Sequence, residues 1–337
     1  PIWGWMLGVR TYWLYMPLAF VVAKTFTRED INRFLKLCLW IAIPYAFLVA
    51  AQYNAPPYAF VNLGVGADEE GAVSVGDGLL RPVGLFTYTG PNVQFTAFMI
   101  AVFLAFYVGN VPMRRRRLFL LASGAAVGAM SVLTGSRSIY FLAAMILGLT
   151  LFGMIAARPS GRTLRRALGV IGFAVLAAGL FVLVFPDMLD AMAGRFERAA
   201  LSEGSIWNRA FGGLTKWIEP LFTAPVFGMG IGAGAPGVAR ILGLPALIYG
   251  ESDLQRNVNE LGLLLGIAML LLRFGMSIWI VWTAFHMARR RDVIALPLAG
   301  FAFFPFLMGQ VTHSPLNAFS VWLVAGFILS RIRREST

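Results

Sequence analysis

A chain of 337 residues that is 58% hydrophobic and only 13% charged does not have the composition of a soluble globular domain. Its net charge of +12 would suit a nucleic-acid binder. No nucleic-acid motif is present, however, and the bases cluster between apolar runs, so the charge reads as membrane topology and contact with anionic lipid.

In chain order, nine apolar runs long enough to cross a bilayer are predicted, at 2–23, 35–53, 93–111, 118–134, 139–157, 168–185, 261–286, 293–310 and 315–330. The expected fold is an all-α integral membrane protein, a polytopic bundle forming one domain over 1–337. Lys24 to Lys36, Arg114 to Arg117, Arg158 to Arg166, Arg289 to Arg291 and Arg331 to Arg334 fall on one side of this alternation. Together they hold 18 of the 28 Lys and Arg. Short basic loops stay in the cytoplasm, which places the segments 54–92 and 186–260 outside, as periplasmic loops packed on the bundle. With alternating spans, residue 1 is outside. A chain beginning Pro-Ile-Trp without Met therefore reads as a fragment; if the natural N-terminus is cytoplasmic, an odd number of spans is missing, with three expected. The single cysteine, Cys38, lies in an apolar run and excludes a disulfide within the chain.

Long loops with their own structure carry function more often than turns do. The first outer loop holds Arg81-Pro-Val-Gly-Leu-Phe86 and Pro91-Asn92. The second has helical spacing over 187–202 and 205–222, then the glycine run Gly228-Met-Gly-Ile-Gly-Ala-Gly234. That run lacks the Lys-Ser/Thr of a nucleotide loop and reads as a tight, close-packed bend.

Polar residues inside or beside spans are the candidates for chemistry. Arg137, in the hinge Thr134-Gly-Ser-Arg-Ser-Ile-Tyr140, is either a snorkelling anchor or a fixed cation in an outward cavity. Arg10 and Arg273 interrupt apolar runs in the same way; Arg273, deep in its span, calls for a carboxylate or backbone-carbonyl partner. Arg209 follows Trp207-Asn on a predicted helix. Further on, Glu251-Ser-Asp-Leu-Gln-Arg256-Asn-Val-Asn-Glu260-Leu-Gly262 supplies Glu251, Arg256, Asn257 and Glu260. Glu260 could serve only as a helix N-terminal charge. The two histidines, His286 and His313, are far apart and predicted on opposite faces, so no metal site is expected.

Taken in order, four elements resemble one family. They are Arg81-x-x-Gly84-x-Phe86 with Pro91-Asn92, the Ser136-Arg137 hinge, Arg209 with Pro225-x-x-Gly-x-Gly-x-Gly232, and Glu260-x-Gly262. The resemblance is to the O-antigen ligase and O-antigen polymerase (Wzy-type) superfamily of bacterial envelope glycosyltransferases, over about residues 80–285. It implies an enzyme of the bacterial inner membrane whose site faces the periplasm. Such an enzyme transfers an undecaprenyl-diphosphate-linked oligosaccharide to an acceptor hydroxyl with no cofactor or metal. Its partners would be that lipid-linked donor, membrane lipids and a chain-length regulator, with no nucleic acid.

Fixed guanidinium groups suit a diphosphate, and they stabilise the charge that develops on it as the glycosidic bond breaks. By this resemblance Arg137, Arg209 and Glu251 are the expected catalytic residues, while Arg81, Asn92, Arg256, Asn257, Glu260 and Arg273 bind substrate. Ligases carry a His followed by Asn about nine residues before Glu-x-Gly; here Glu251-Ser252 stands there. That departure favours the polymerase branch, with Glu251 either the base or a sugar-hydroxyl ligand. The alternatives are a ligase or protein O-oligosaccharyltransferase and, from another class, a transporter of anionic lipid or solute. A transporter should show related halves, and no such symmetry is visible in the sequence.

Overall fold

The computed structural model describes residues 6, 8–62, 74–76, 79–157, 159–184, 212–234, 238 and 252–333. The helices are α1 (Met16–Thr25), α2 (Arg28–Asn54), α3 (Thr89–Val108), α4 (Arg116–Leu133), α5 (Arg137–Ala157), α6 (Gly161–Val184), α7 (Asp253–Arg289), α8 (Ala295–Met308) and α9 (Pro315–Arg333). Among the described residues, six helices are long and apolar enough to cross a membrane: α2, α3, α4, α5, α7 and α9. The chain is a helical membrane protein.

Two of the predicted spans differ in form. The run 2–23 holds a π-helical turn, Arg10–Leu14, and then α1, which has only ten residues. The run 293–310 is the fourteen-residue α8, which contains Pro305 and is shorter than the hydrocarbon layer requires. Apolar composition fixed that these segments are buried in lipid or protein, but it could not fix their length as helices. The segment 54–92 carries a small antiparallel ladder between β1 (Ser74–Gly76) and β2 (Leu79–Leu80). In the segment 186–260, residues 212–223 form a 3₁₀ turn and the single turn Pro220–Thr223 rather than a continuous helix.

The chain divides into two compact units. The first comprises Thr27–Ser202 and Ala284–Phe301. Within it, α2 begins with a capping box: Thr27 Oγ1 accepts from the Asp30 amide and Asp30 accepts from the Thr27 amide, at 3.1 and 2.9 Å. Ile31, Leu35, Leu39, Ala42, Ala46 and Val49 form its buried stripe, while Leu37, Trp40, Ile41 and Phe47 stay exposed. In water such a face would aggregate; in a bilayer it meets lipid. Helix α3 is buried almost all round, as a helix apolar on every side must be, and packs against α2, α4 and α5. Its C-terminal carbonyls are met by basic residues, Arg116 Nη2 on Tyr107 O at 3.1 Å and Arg166 Nη1 on Val108 O at 3.3 Å. These cations complement the negative end of the helix dipole. Two of the basic segments thus gather at one end of this unit, as alternating spans require.

The second unit comprises Pro1–Phe26, Glu203–Thr283 and Ala302–Thr337. Helix α1 lies along α9, where Gly326 leaves no room for a side chain against Val22 and the Ala19 carbonyl. Helix α7 is interrupted at Gly262, whose φ of 79° and ψ of 179° lie in a region open essentially to glycine.

Candidate functional site

The site grows from the first turns of α7. Ser252 Oγ accepts from the Gln255 amide and caps the helix, so Asp253, Arg256, Asn257 and Glu260 all fall on a helix that starts eight residues before the predicted span. Glu260 is accordingly not a charge at the helix start. The interruption at Gly262 follows it directly and lets a second strand of chain approach. The backbones of Gly228 and Gly262 cross in contact, and a Cβ on either would run into the other's main chain. The crossing is tied by Met229 N to Asn259 O at 2.9 Å, Gly230 N to Glu260 O at 3.0 Å and Leu263 N to Pro225 O at 3.3 Å.

Glu260 completes this clasp through its side chain. One carboxylate oxygen accepts from the Gly232 amide (2.8 Å) and the Tyr12 hydroxyl (3.0 Å). The other accepts from the Gly234 amide (2.8 Å) and His313 Nε2 (3.0 Å). The Gly-rich run and the Glu-x-Gly element, read separately in the sequence, are one piece of structure. The π-helical turn at Arg10–Leu14 is what carries Tyr12 to it.

His313, between α8 and α9, is the centre of the arrangement. Its Nδ1 lies 2.5 Å from Asp253 Oδ1 and its Nε2 faces Glu260, with the side chain only 2% exposed. Both ring nitrogens therefore point at carboxylates, and both must carry protons. Burial by itself would depress the imidazole pKa. The Asp253 charge and the hydrogen bonds to both acids outweigh it and raise the value from 6.5 to about 9. His313 is an imidazolium held between two anions, which makes it unable to accept a proton from a substrate.

Asp253 Oδ2 takes three more donors: Arg273 Nη1 at 2.7 Å, Thr312 Oγ1 at 2.9 Å and the Thr312 amide at 3.0 Å. The Asn257 amide joins with its oxygen toward Arg273 Nη1 at 2.8 Å and its nitrogen toward Thr312 Oγ1 and the Tyr12 hydroxyl. Arg273 also donates to Phe306 O and Pro305 O at 3.1 Å each and to Gly309 O at 2.5 Å. Those carbonyls lie at and just beyond the C-terminal end of α8, where the Gly309 amide also reaches Pro305 O and the Val311 amide reaches Gly309 O, at 3.0 Å each. Arg273 thus caps α8 and pairs with Asp253 together, the carboxylate and carbonyl partners its place in the span called for. Two anions and two cations balance, so the buried cluster is neutral.

Of the residues singled out in the sequence, Asn257, Glu260 and Arg273 meet here, joined by Asp253, Thr312, His313 and Tyr12. Arg256 is buried on α7. Arg209 and Glu251 lie outside the described residues. Arg81, Asn92 and Arg137 belong to the other unit. There Asn92 accepts from the Tyr45 hydroxyl at 2.7 Å and donates to Pro82 O at 2.8 Å, pinning the turn after Arg81. Gln52 braces the same turn through both backbone groups of Gly84, whose φ is +65°. Arg81 Nε is buried with no hydrogen-bond partner among the described residues. Arg137 is the first residue of α5 and half-buried.

His313 had one signal in the sequence: a titratable residue beside a span. Its distance from His286 excludes a shared metal but says nothing about carboxylate partners, which lie 53 and 60 residues away. Compared with known protein families, curated proteins and solved structures, the chain matches none.

Proposed function

We propose that the chain is a polysaccharide polymerase of the bacterial inner membrane, acting at the periplasmic face on undecaprenyl-diphosphate-linked oligosaccharide. The observation that supports this reading is the clasp between the Gly-rich run 228–234 and Glu260-x-Gly262. Two motifs that resemble the O-antigen ligase and polymerase superfamily, 26 to 28 residues apart at the carboxylate contacts, interlock through Glu260. The clasp and the Asp253–His313–Arg273 cluster fix the end of the long loop that carries Arg209 and Glu251.

In the proposed reaction an acceptor hydroxyl attacks the anomeric carbon and gives its proton to the Glu251 carboxylate. The bond from that carbon to the diphosphate oxygen breaks with inversion, and the diphosphate leaves with the electron pair. The motif arginine Arg209 neutralises the leaving charge. His313 and Glu260 are positioning residues in this scheme, since the first has no vacant nitrogen and the second accepts four hydrogen bonds.

The test is Glu251→Gln in cells that make the polymer. Elongation should stop while single lipid-linked repeat units accumulate, and Glu251→Asp should keep a small activity because the carboxylate only retreats. Polymer of ordinary length and amount from the Gln variant would remove Glu251 as base. Loss of transfer to a final acceptor with polymer intact would point to the ligase branch.

A further inference from the structure

Within the unit formed by Thr27–Ser202 and Ala284–Phe301, an apolar groove of about 440 Å³ opens between α3, α4 and α6. Phe103, Leu104, Leu120, Leu121 and Val170 line it. Gly172 of α6 also lines it, and a Cβ there would meet nothing within 4 Å, so the position has room for a side chain. The volume is comparable with that of one fatty-acyl chain.

The mouth of the groove is not neutral. Arg117 lines it, and Arg114, Arg115 and Arg165 are exposed on the adjoining segments. Arg116 and Arg166 are directed to the last carbonyls of α3 and hold this end of the unit together. No Asp or Glu occurs in the sequence between Asp77 and Asp187, so these three helices bring no acid of their own to offset the arginines. An apolar slot with a cationic rim, at the end of lipid-exposed helices, has the chemistry of a phospholipid with a negative headgroup.

We propose that this groove seats one anionic phospholipid, with an acyl chain against Leu120, Leu121 and Val170 and its phosphate at Arg117. Guanidinium forks suit phosphate oxygens, and the surrounding bilayer supplies the ligand. The proposal rests on this unit alone and is independent of the transfer reaction.

The experiment is native mass spectrometry of the full chain in detergent, offered phosphatidylglycerol and phosphatidylcholine with identical acyl chains. The wild type should retain phosphatidylglycerol in preference, at one molecule per chain. Gly172→Leu should fill the groove and abolish the preference while melting at the wild-type temperature. Arg117→Gln, an exposed change that leaves the fold alone, should weaken retention about fivefold, the share of one cation near a phosphate. Should Gly172→Leu fail to fold, Arg117→Gln decides. Equal retention of the two lipids by the wild type, or undiminished preference in Arg117→Gln, would overturn the proposal and leave only unspecific lipid around the helices.

Discussion

Arg273 offers the sharpest measurement of what the buried cluster contributes. Its side chain is about 1% exposed, and Arg273→Met would remove five partners together: the Asp253 carboxylate, the Asn257 amide oxygen and the carbonyls of Pro305, Phe306 and Gly309. Asp253 would remain buried with His313 as its one cation, leaving the cluster at net −1. Breaking a buried pair from one side typically costs roughly 3–5 kcal/mol, and the lost hydrogen bonds to Phe306 O and the Asn257 amide add to that. For a chain of this size the loss corresponds to about 10 °C in melting temperature, read by tryptophan fluorescence in detergent. Asp253→Asn should cost a similar amount. The double variant should cost less than the two single losses combined, by about 1–3 kcal/mol, because each single change strands the other's charge. Additive losses, or an Arg273→Met melting temperature within a degree or so of wild type, would refute the view that these residues act as one neutral unit.

The pH dependence of stability tests His313. Its folded pKa of about 9 lies above the unfolded 6.5, so the stabilisation is complete below pH 6.5 and is lost as pH rises through 9. The amount is about 3 kcal/mol, and His313→Gln should flatten that part of the profile; an unchanged slope would exclude the clamped imidazolium. Gly262→Ala places a Cβ against the Gly228 backbone at a φ of +79° and should be destabilising by well over 1 kcal/mol. Gly275→Ala, on the same helix with open space around it, should be neutral or mildly stabilising; equal effects from the two would dismiss the clasp. Topology is checked in spheroplasts of a Cys38→Ser background. A cysteine at Ser74 should react with an impermeant thiol reagent while one at Arg115 is protected, and the reverse pattern would overturn the assignment of faces.

How far the sequence reached follows from the range of the interactions involved. Apolar runs and basic clusters are local properties, so the helical membrane class and the apolar helices α2 to α7 and α9 were legible, with helix starts up to eight residues earlier than the apolar runs. Arg273's need for a buried partner was legible too, because an arginine in an apolar run is costly wherever it sits. Helix lengths near Tyr12 and Pro305 were not, since hydropathy does not distinguish a π turn or a short capped helix from a full span. The identity of the partners was beyond reach. His313 is 60 residues from Asp253 and 53 from Glu260, while Tyr12 is 248 from Glu260. No periodicity links such positions. The sequence by itself determined which residues must avoid lipid; only the tertiary structure decided which of them meet, because a buried charge accepts any geometry that neutralises it and the packing of α7, α8 and α9 selects one.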